Sequence, residues 1–114
     1  MKRERELKSK IDYTKGQINK LEILSNEHGS ILLLAFDKDV ELGTHTAPCD
    51  VMIQIVDGEC DFTLEGNPML LKEGDFLVMR PGVQHSLMAR KKFKVLLTKL
   101  GAPGDALPGP VIQH

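Results

Sequence analysis

Turn-forming residues divide the middle of this chain into short apolar segments, and this spacing constrains the fold more than any other feature of the sequence. Such turns occur at His28-Gly29, Asp57-Gly58, Gly66-Asn67-Pro68, Glu73-Gly74-Asp75 and Pro81-Gly82. Many short strands between regular turns are typical of a β-sandwich or barrel and not of alternating strands and helices. We therefore predict an all-β antiparallel domain with negligible helix, built from the strands Gln17–Leu24, Ser30–Phe36, Leu42–His45, Val51–Val56, Glu59–Glu65, Met69–Lys72, Phe76–Arg80, His85–Ala89 and Phe93–Leu100.

The two ends of the chain differ in composition from this middle part. The first ten residues carry seven charges, which predicts a solvated charged arm over residues 1–12. Residues 101–114 contain three prolines and three glycines, a composition that sustains neither a helix nor a central strand. Residues 13–100 are then the barrel itself, and a single hydrophobic core suffices for a domain of this size.

Charge and hydropathy exclude several classes of protein. Lysine and arginine total 15 against 16 for aspartate and glutamate, so the chain lacks the basic surface on which nucleic-acid binding depends. The longest apolar run, Ile31–Phe36, is too short to span a bilayer, and the first residues contain no apolar signal region. We expect a cytoplasmic protein with neither a nucleic-acid nor a membrane partner.

The alternation of side chains predicts two hairpins. Asp57-Gly58 is the strongest short hairpin signal in the chain. A two-residue loop there gives three apolar pairs, Ile55 with Cys60, Ile53 with Phe62 and Val51 with Leu64. A second loop at residues 90–92 pairs Ala89 with Phe93, Leu87 with Val95 and His85 with Leu97. In each hairpin one face is apolar and lines a core, and His85 is the only titratable group on the second apolar face.

Residues 42–87 resemble the two consecutive motifs of the cupin superfamily. His45 and Gly58 stand at the first histidine and the closing glycine of the first motif, while Gly74-Asp75, Gly82 and His85 match the second. The resemblance implies a cupin-type double-stranded β-helix, which is an antiparallel jelly-roll barrel like that of small single-domain, RmlC-like cupins. This fold hosts enzymes, sugar binders, sensors and storage proteins, so the resemblance alone indicates no single function.

The chain departs from the metal-binding pattern that the resemblance implies. Cupins that bind metal typically use three histidines and one glutamate, whereas Ala47 and Val51 stand at two of these positions and only His45 and His85 remain. Cys49 shares the strand face of Val51, and one thiolate with two imidazoles would suit a transition metal. The alternative is that Cys49 packs as a small buried hydrophobe. No cofactor is firmly indicated, and the candidate is a divalent transition metal (zinc, iron, nickel or copper).

Without metal, His45 and His85 would contact a bound molecule, or they would be core histidines satisfied by backbone carbonyls. Val51 and Phe62 are predicted to line the same interior. Arg80, where the second motif usually has proline, either binds a carboxylate or phosphate at the barrel mouth or is an exposed charge at a strand end.

Three functions remain open at this point. The first is a binding module that holds a small organic ligand inside the barrel, and the loss of two metal ligands favours it. The second is a metal-dependent enzyme of the isomerase or dioxygenase type that uses His45 and His85, with catalytic residues unknown. The third is a structural protein whose barrel is filled by side chains. We also expect a homodimer that covers outer apolar residues, with Leu32, Leu34, Met52 and Val56 as the candidates.

Overall fold

Eight antiparallel strands and one short turn of 3₁₀ helix, Leu7–Ser9, make up the part of the chain that the structure, a computed structural model, describes: residues 5–101. The strands are β1 (Ile18–Asn26), β2 (Gly29–Phe36), β3 (Glu41–His45), β4 (Asp50–Leu64), β5 (Asn67–Lys72), β6 (Phe76–Met79), β7 (His85–Met88) and β8 (Phe93–Leu100). The predicted all-β antiparallel fold is confirmed. Within residues 5–101, no helix has the length and apolarity needed to cross a membrane.

Strand β4 is shared by two sheets and joins them into one curled barrel. Residues of its first half pair with β8 on one side and β6 on the other, so the first sheet has the order β1-β2-β8-β4-β6. Its second half lies between β5 and β7, so the second sheet has the order β5-β4-β7-β3. A strand that changes sheets in this way makes a corner, which typically needs a bulge or a bend.

The predicted hairpin at Asp57-Gly58 is wrong, because these residues form the corner of β4. The strand is continuous there, and its pairing with β8 shifts by one residue between Ile55 and Asp57, as in a β-bulge. Gly58 has the positive φ of 73° that the Asp-Gly signal indicated, and a Cβ at this position would lie 2.2 Å from the carbonyl oxygen of Lys92. The two-residue hairpin loop that follows β4 is Glu65-Gly66, where both φ angles are positive.

The second predicted pairing, between β7 and β8, is also wrong. Strand β7 pairs with β3 and β4, while β8 pairs with β2 and β4 in the other sheet. The backbone of Ala89 explains the difference, because it exchanges hydrogen bonds with Asp39 and Val40 and not with Phe93. The inward side of each strand was nevertheless predicted correctly, since Phe93, Val95 and His85 all lie in the buried interior.

The core lies between the two sheets and is built from alternate residues of the strands. Its buried members on β4 are Val51, Ile53, Ile55, Cys60 and Phe62. Phe36 and Phe93 are fully buried and stack with their ring centroids 4.7 Å apart. These side chains form the apolar walls within which the candidate site lies.

The described part of the N-terminal arm lies on the outer face of the first sheet. Ile11 is only 8 % exposed and packs with Leu33 and Ala35. The hydroxyl of Tyr13 donates to Asp57 Oδ2 at 2.8 Å, and the ammonium of Lys94 lies 4.8 Å from the centroid of the Tyr13 ring. Ile11 is therefore anchored to the sheet within an arm whose charge predicts a solvated segment, while Arg5, Lys10 and Asp12 are exposed. The Pro/Gly-rich tail, apart from Gly101, lies outside the described residues.

Candidate functional site

The barrel encloses a cavity of about 460 Å³ between its two sheets. Aliphatic and aromatic side chains from both sheets form most of its wall, and the polar side chains on it are few. Ligand pockets of roughly 300–1,000 Å³ with apolar walls and a few convergent polar groups bind drug-sized molecules. The interior is thus open enough for a small ligand and is not filled by its own side chains.

Two histidines from the second sheet meet on the cavity wall. His45 at the end of β3 and His85 at the start of β7 are cross-strand partners, and their ring centroids lie 4.2 Å apart at an interplanar angle of 58°. The pairing of β3 with β7 is irregular between Leu42 and His45, which places a bulge immediately before the histidine. Bulges beside functional sites reorient side chains, and here the bulge brings His45 to the cavity.

Backbone carbonyls fix the orientation and the tautomer of both rings. His45 Nδ1 lies 2.7 Å from the carbonyl oxygen of Gly43, and His85 Nδ1 lies 3.1 Å from that of Val83. Because a carbonyl oxygen only accepts hydrogen bonds, Nδ1 is the donor in each case, and the neutral ring carries its lone pair on Nε2. Each histidine is therefore anchored to its own strand end through Nδ1.

The environment of His85 favours the neutral imidazole. The side chain is 7 % exposed and stacks against Phe62 at a centroid distance of 5.9 Å. Burial lowers the pKa of His85 below its usual value, the hydrogen bond to Val83 opposes this, and the neighbouring His45 adds to the lowering. At neutral pH this ring is uncharged, which suits contact with a neutral polar group of a ligand.

The residues present do not fit the metal site of the cupin pattern. The motif positions filled by Ala47 and Val51 carry buried apolar side chains with no donor atom. Within residues 5–101, no three side chains of histidine, cysteine, aspartate or glutamate come together in a group that could hold a metal ion. Transition-metal sites in proteins usually have at least three protein ligands. Two imidazoles alone fall short of that set.

The structure does not bring Cys49 or Arg80 into the cavity. Cys49 is buried in the core without lining the cavity, so it packs as a small hydrophobe and supplies no third metal ligand. Arg80 is exposed, and its Nε lies 3.0 Å from Asp50 Oδ1. The cavity brings together the other four predicted contacts, His45, His85, Val51 and Phe62.

Sequence reasoning missed several residues on the cavity wall, notably Lys20, Thr44, Cys60 and Lys99. Lys99 was within reach of the sequence, because it continues the inward alternation of Phe93, Val95 and Leu97 by one further step. Cys60 was placed on the inward face but not considered as a site residue, and burial raises its pKa to about 12. Lys20 gave no signal, since β1 is an exposed strand without a clean alternation.

Comparisons with known families agree with this fold and these motif residues. The model of the EutQ-like cupin domain family matches residues 43–97, the stretch that contains His45, His85 and the corner of β4. The comparison with curated proteins gives no match.

Solved structures resemble the chain over most of its length. A conserved protein of unknown function from Streptococcus pyogenes is 26% identical, with 83% of each chain covered and a TM-score of 0.77. A cupin 2 conserved barrel domain protein from Leptotrichia buccalis is also 26% identical, with a TM-score of 0.77 over 82% of this chain and 45% of that one. A cupin superfamily protein from Desulfitobacterium hafniense has 21% identity and a TM-score of 0.81, over 88% of this chain and 92% of that one. The barrel topology, the motif residues and the match to the EutQ-like cupin domain over residues 43–97 together support a small cupin domain protein.

Proposed function

We propose that this cupin domain is a binding module that holds a small organic ligand inside the barrel. The observation that carries the proposal is the cavity of about 460 Å³, whose wall is mostly apolar and includes two adjacent histidines. Affinity would come from burial of the ligand's apolar surface, which contributes roughly 25 cal/mol per Å² removed from water. The open interior also argues against a purely structural barrel filled by side chains.

The histidine pair gives the apolar cavity its polar recognition. Both rings are held by carbonyl acceptors at Nδ1 and lie on the cavity wall, where a ligand hydroxyl or N–H group would contact them. Phe62, stacked parallel to His85, offers a flat surface for a planar ligand. A small number of fixed polar groups on an apolar wall is the usual basis of orientation and specificity in ligand pockets.

The alternative function is a metal-dependent enzyme that uses His45 and His85. Two imidazoles are too small a donor set for a transition-metal site. A cytoplasmic location, expected from the sequence, is part of the same proposal.

Metal content and probe binding test the proposal together. Protein purified without a metal-affinity tag should contain clearly less than one equivalent of zinc, iron, nickel or copper by elemental analysis. It should bind the uncharged fluorophore N-phenyl-1-naphthylamine, and EDTA should not change this binding. Substitution His85→Ala should weaken binding about three- to tenfold, the effect of one lost hydrogen bond in a cavity.

His28→Ala is the matched control, because His28 is exposed and lies beside Glu27 outside the cavity. This variant should bind the fluorophore like the wild type. Stoichiometric metal that disappears in both His45→Ala and His85→Ala would overturn the proposal and support the metal-dependent enzyme. Absence of fluorophore binding to the wild type would also count against a binding module.

A further inference from the structure

Among the described residues, the lysine, arginine, aspartate and glutamate side chains on the cavity wall are two lysines only, Lys20 on β1 and Lys99 on β8. We propose that the ligand of this cavity is an organic anion, with an apolar body held by the barrel wall and an acidic head group held by these two ammonium groups. The inference rests on the proposed binding function and adds the chemical class of the ligand.

The charge of the wall is unbalanced. Besides Lys20 and Lys99 it contains the two histidines, and no aspartate or glutamate is among its residues. Within the part of the chain that the structure describes, neither lysine takes part in a salt bridge, whereas Arg80 and Arg90 each pair with an aspartate. A cleft lined by one sign of charge with low-dielectric walls attracts ligands of the opposite sign.

The cross-strand partners of the two lysines carry no charge. Lys99 has Ser30 and Val51 as its cross-strand partners, and Lys20 has Leu34. Two nearby acids lie off the cavity wall. Glu22 is exposed two positions along β1, and Asp50, next to Val51, is paired with Arg80.

The position of Lys20 suits an anion that enters from solvent. The strand order β1-β2-β8-β4-β7-β3 leads around the barrel and ends at β1 and β3, which do not pair with each other among the described strands. Both end strands contribute exposed residues to the cavity wall, Lys20 from β1 and Gly43 and Thr44 from β3. Solvent therefore reaches the cavity between these two strands, with an ammonium group on one side and a hydroxyl on the other.

Solvent exposure limits what each lysine contributes. Ion pairs of exposed groups have modest strength and are screened by salt, so one lysine should change anion affinity by about three- to fivefold. The apolar wall would supply most of the affinity, and the lysines would select anions over neutral molecules of the same shape.

A matched pair of fluorophores separates the two contributions. 8-Anilinonaphthalene-1-sulfonate and N-phenyl-1-naphthylamine share the same ring skeleton and differ by the sulfonate. The wild type should bind the sulfonate more tightly, and only this preference should fall as sodium chloride is raised. Lys20→Gln and Lys99→Gln should each weaken sulfonate binding about threefold, and the double variant about tenfold, without changing binding of the neutral probe.

Lys38→Gln is the matched control, because Lys38 is an exposed lysine that does not line the cavity. Thr44→Trp, which places a large side chain on the exposed wall at the opening, should block both probes. If it blocks the neutral probe while sulfonate binding depends on neither the lysines nor salt, the binding function stands and the anionic ligand class is wrong. If neither probe binds, or if both bind to Thr44→Trp as to the wild type, the proposed binding function itself fails.

Discussion

The environment of His85 keeps a titratable ring neutral inside an apolar cavity. The ring is stacked on Phe62, lies beside His45 and donates to a backbone carbonyl at its own strand end. The hydrogen bond to this carbonyl oxygen replaces the one to water that the ring N–H group loses on burial, so the neutral ring is tolerated. Burial disfavours a positive charge at the same place and lowers the pKa of the ring. The folded protein therefore resists protonation of this residue.

Stability should depend on pH through His85. Its pKa is lowered in the folded state from a usual value of 6.5, chiefly by burial. Below that value the unfolded chain binds a proton that the folded chain resists, so the contribution of His85 to the free energy of unfolding is fully present above about pH 6.5 and falls as the pH drops. Urea denaturation should show a larger loss of stability between pH 7 and pH 5 for the wild type than for His85→Gln.

His28→Gln provides the control for this measurement, since His28 is exposed and is not on the cavity wall. It should keep the wild-type pH dependence. Equal losses for the wild type and His85→Gln between the two pH values would show that His85 does not resist protonation in the folded state.

Four of the five ligand contacts predicted from sequence line the cavity. His45 and His85 came from the cupin resemblance, while Val51 and Phe62 came from strand alternation. Of the two alternatives for Arg80, the structure has the exposed strand-end charge, and the sequence does not indicate that its partner is Asp50. Lys20 lines the cavity because of how β1 pairs with β2, which its own residues do not indicate.

At the scale of elements, the sequence located the strands well but predicted their partners wrongly. Side-chain alternation depends only on whether a residue's position along the strand is odd or even. A continuous strand with a corner therefore produces the same inward pattern as a hairpin. The Asp-Gly signal reports a glycine with positive φ, which both a tight turn and a bulge require. The partners are decided by long-range contacts, such as that of Gly58 with the backbone of Lys92.

The corner of β4 gives a test of this interpretation. Alanine at position 58 would have a positive φ, and its Cβ would lie 2.2 Å from the carbonyl oxygen of Lys92. Alanine at position 66, where φ is 82°, would have no atom within 4 Å of its Cβ. Gly66→Ala should therefore cost about 1 kcal/mol, the typical price of left-handed backbone for alanine. Gly58→Ala should cost at least about 2 kcal/mol more or prevent folding. Urea denaturation and the yield of folded protein measure both variants, and similar losses would contradict the corner assignment.

At the scale of the whole molecule, the outer apolar surface differs from the one predicted. Leu32 and Leu34 line the cavity, and Val56 packs near the N-terminal arm, so Met52 alone of the four predicted residues remains. The prediction for β2 was wrong because this strand is apolar on both faces. Side-chain alternation then does not distinguish the inward face from the outward face.

The outer face of the first sheet still carries an exposed apolar patch, and we expect a second copy of the chain to cover it. Phe76 and Val78 on β6 are 61 % and 57 % exposed, and they lie across from Gln54 and Met52 on β4. Among the described strands β6 has no partner beyond β4, so its outer edge and this face are open to association.

Sedimentation velocity at micromolar concentration should show a dimer, and the double variant Phe76→Glu, Val78→Glu should be a monomer. Leu70→Glu, an exposed leucine on β5 of the other sheet, should remain dimeric. A monomeric wild type, or a dimer that survives the double substitution, would rule out this interface.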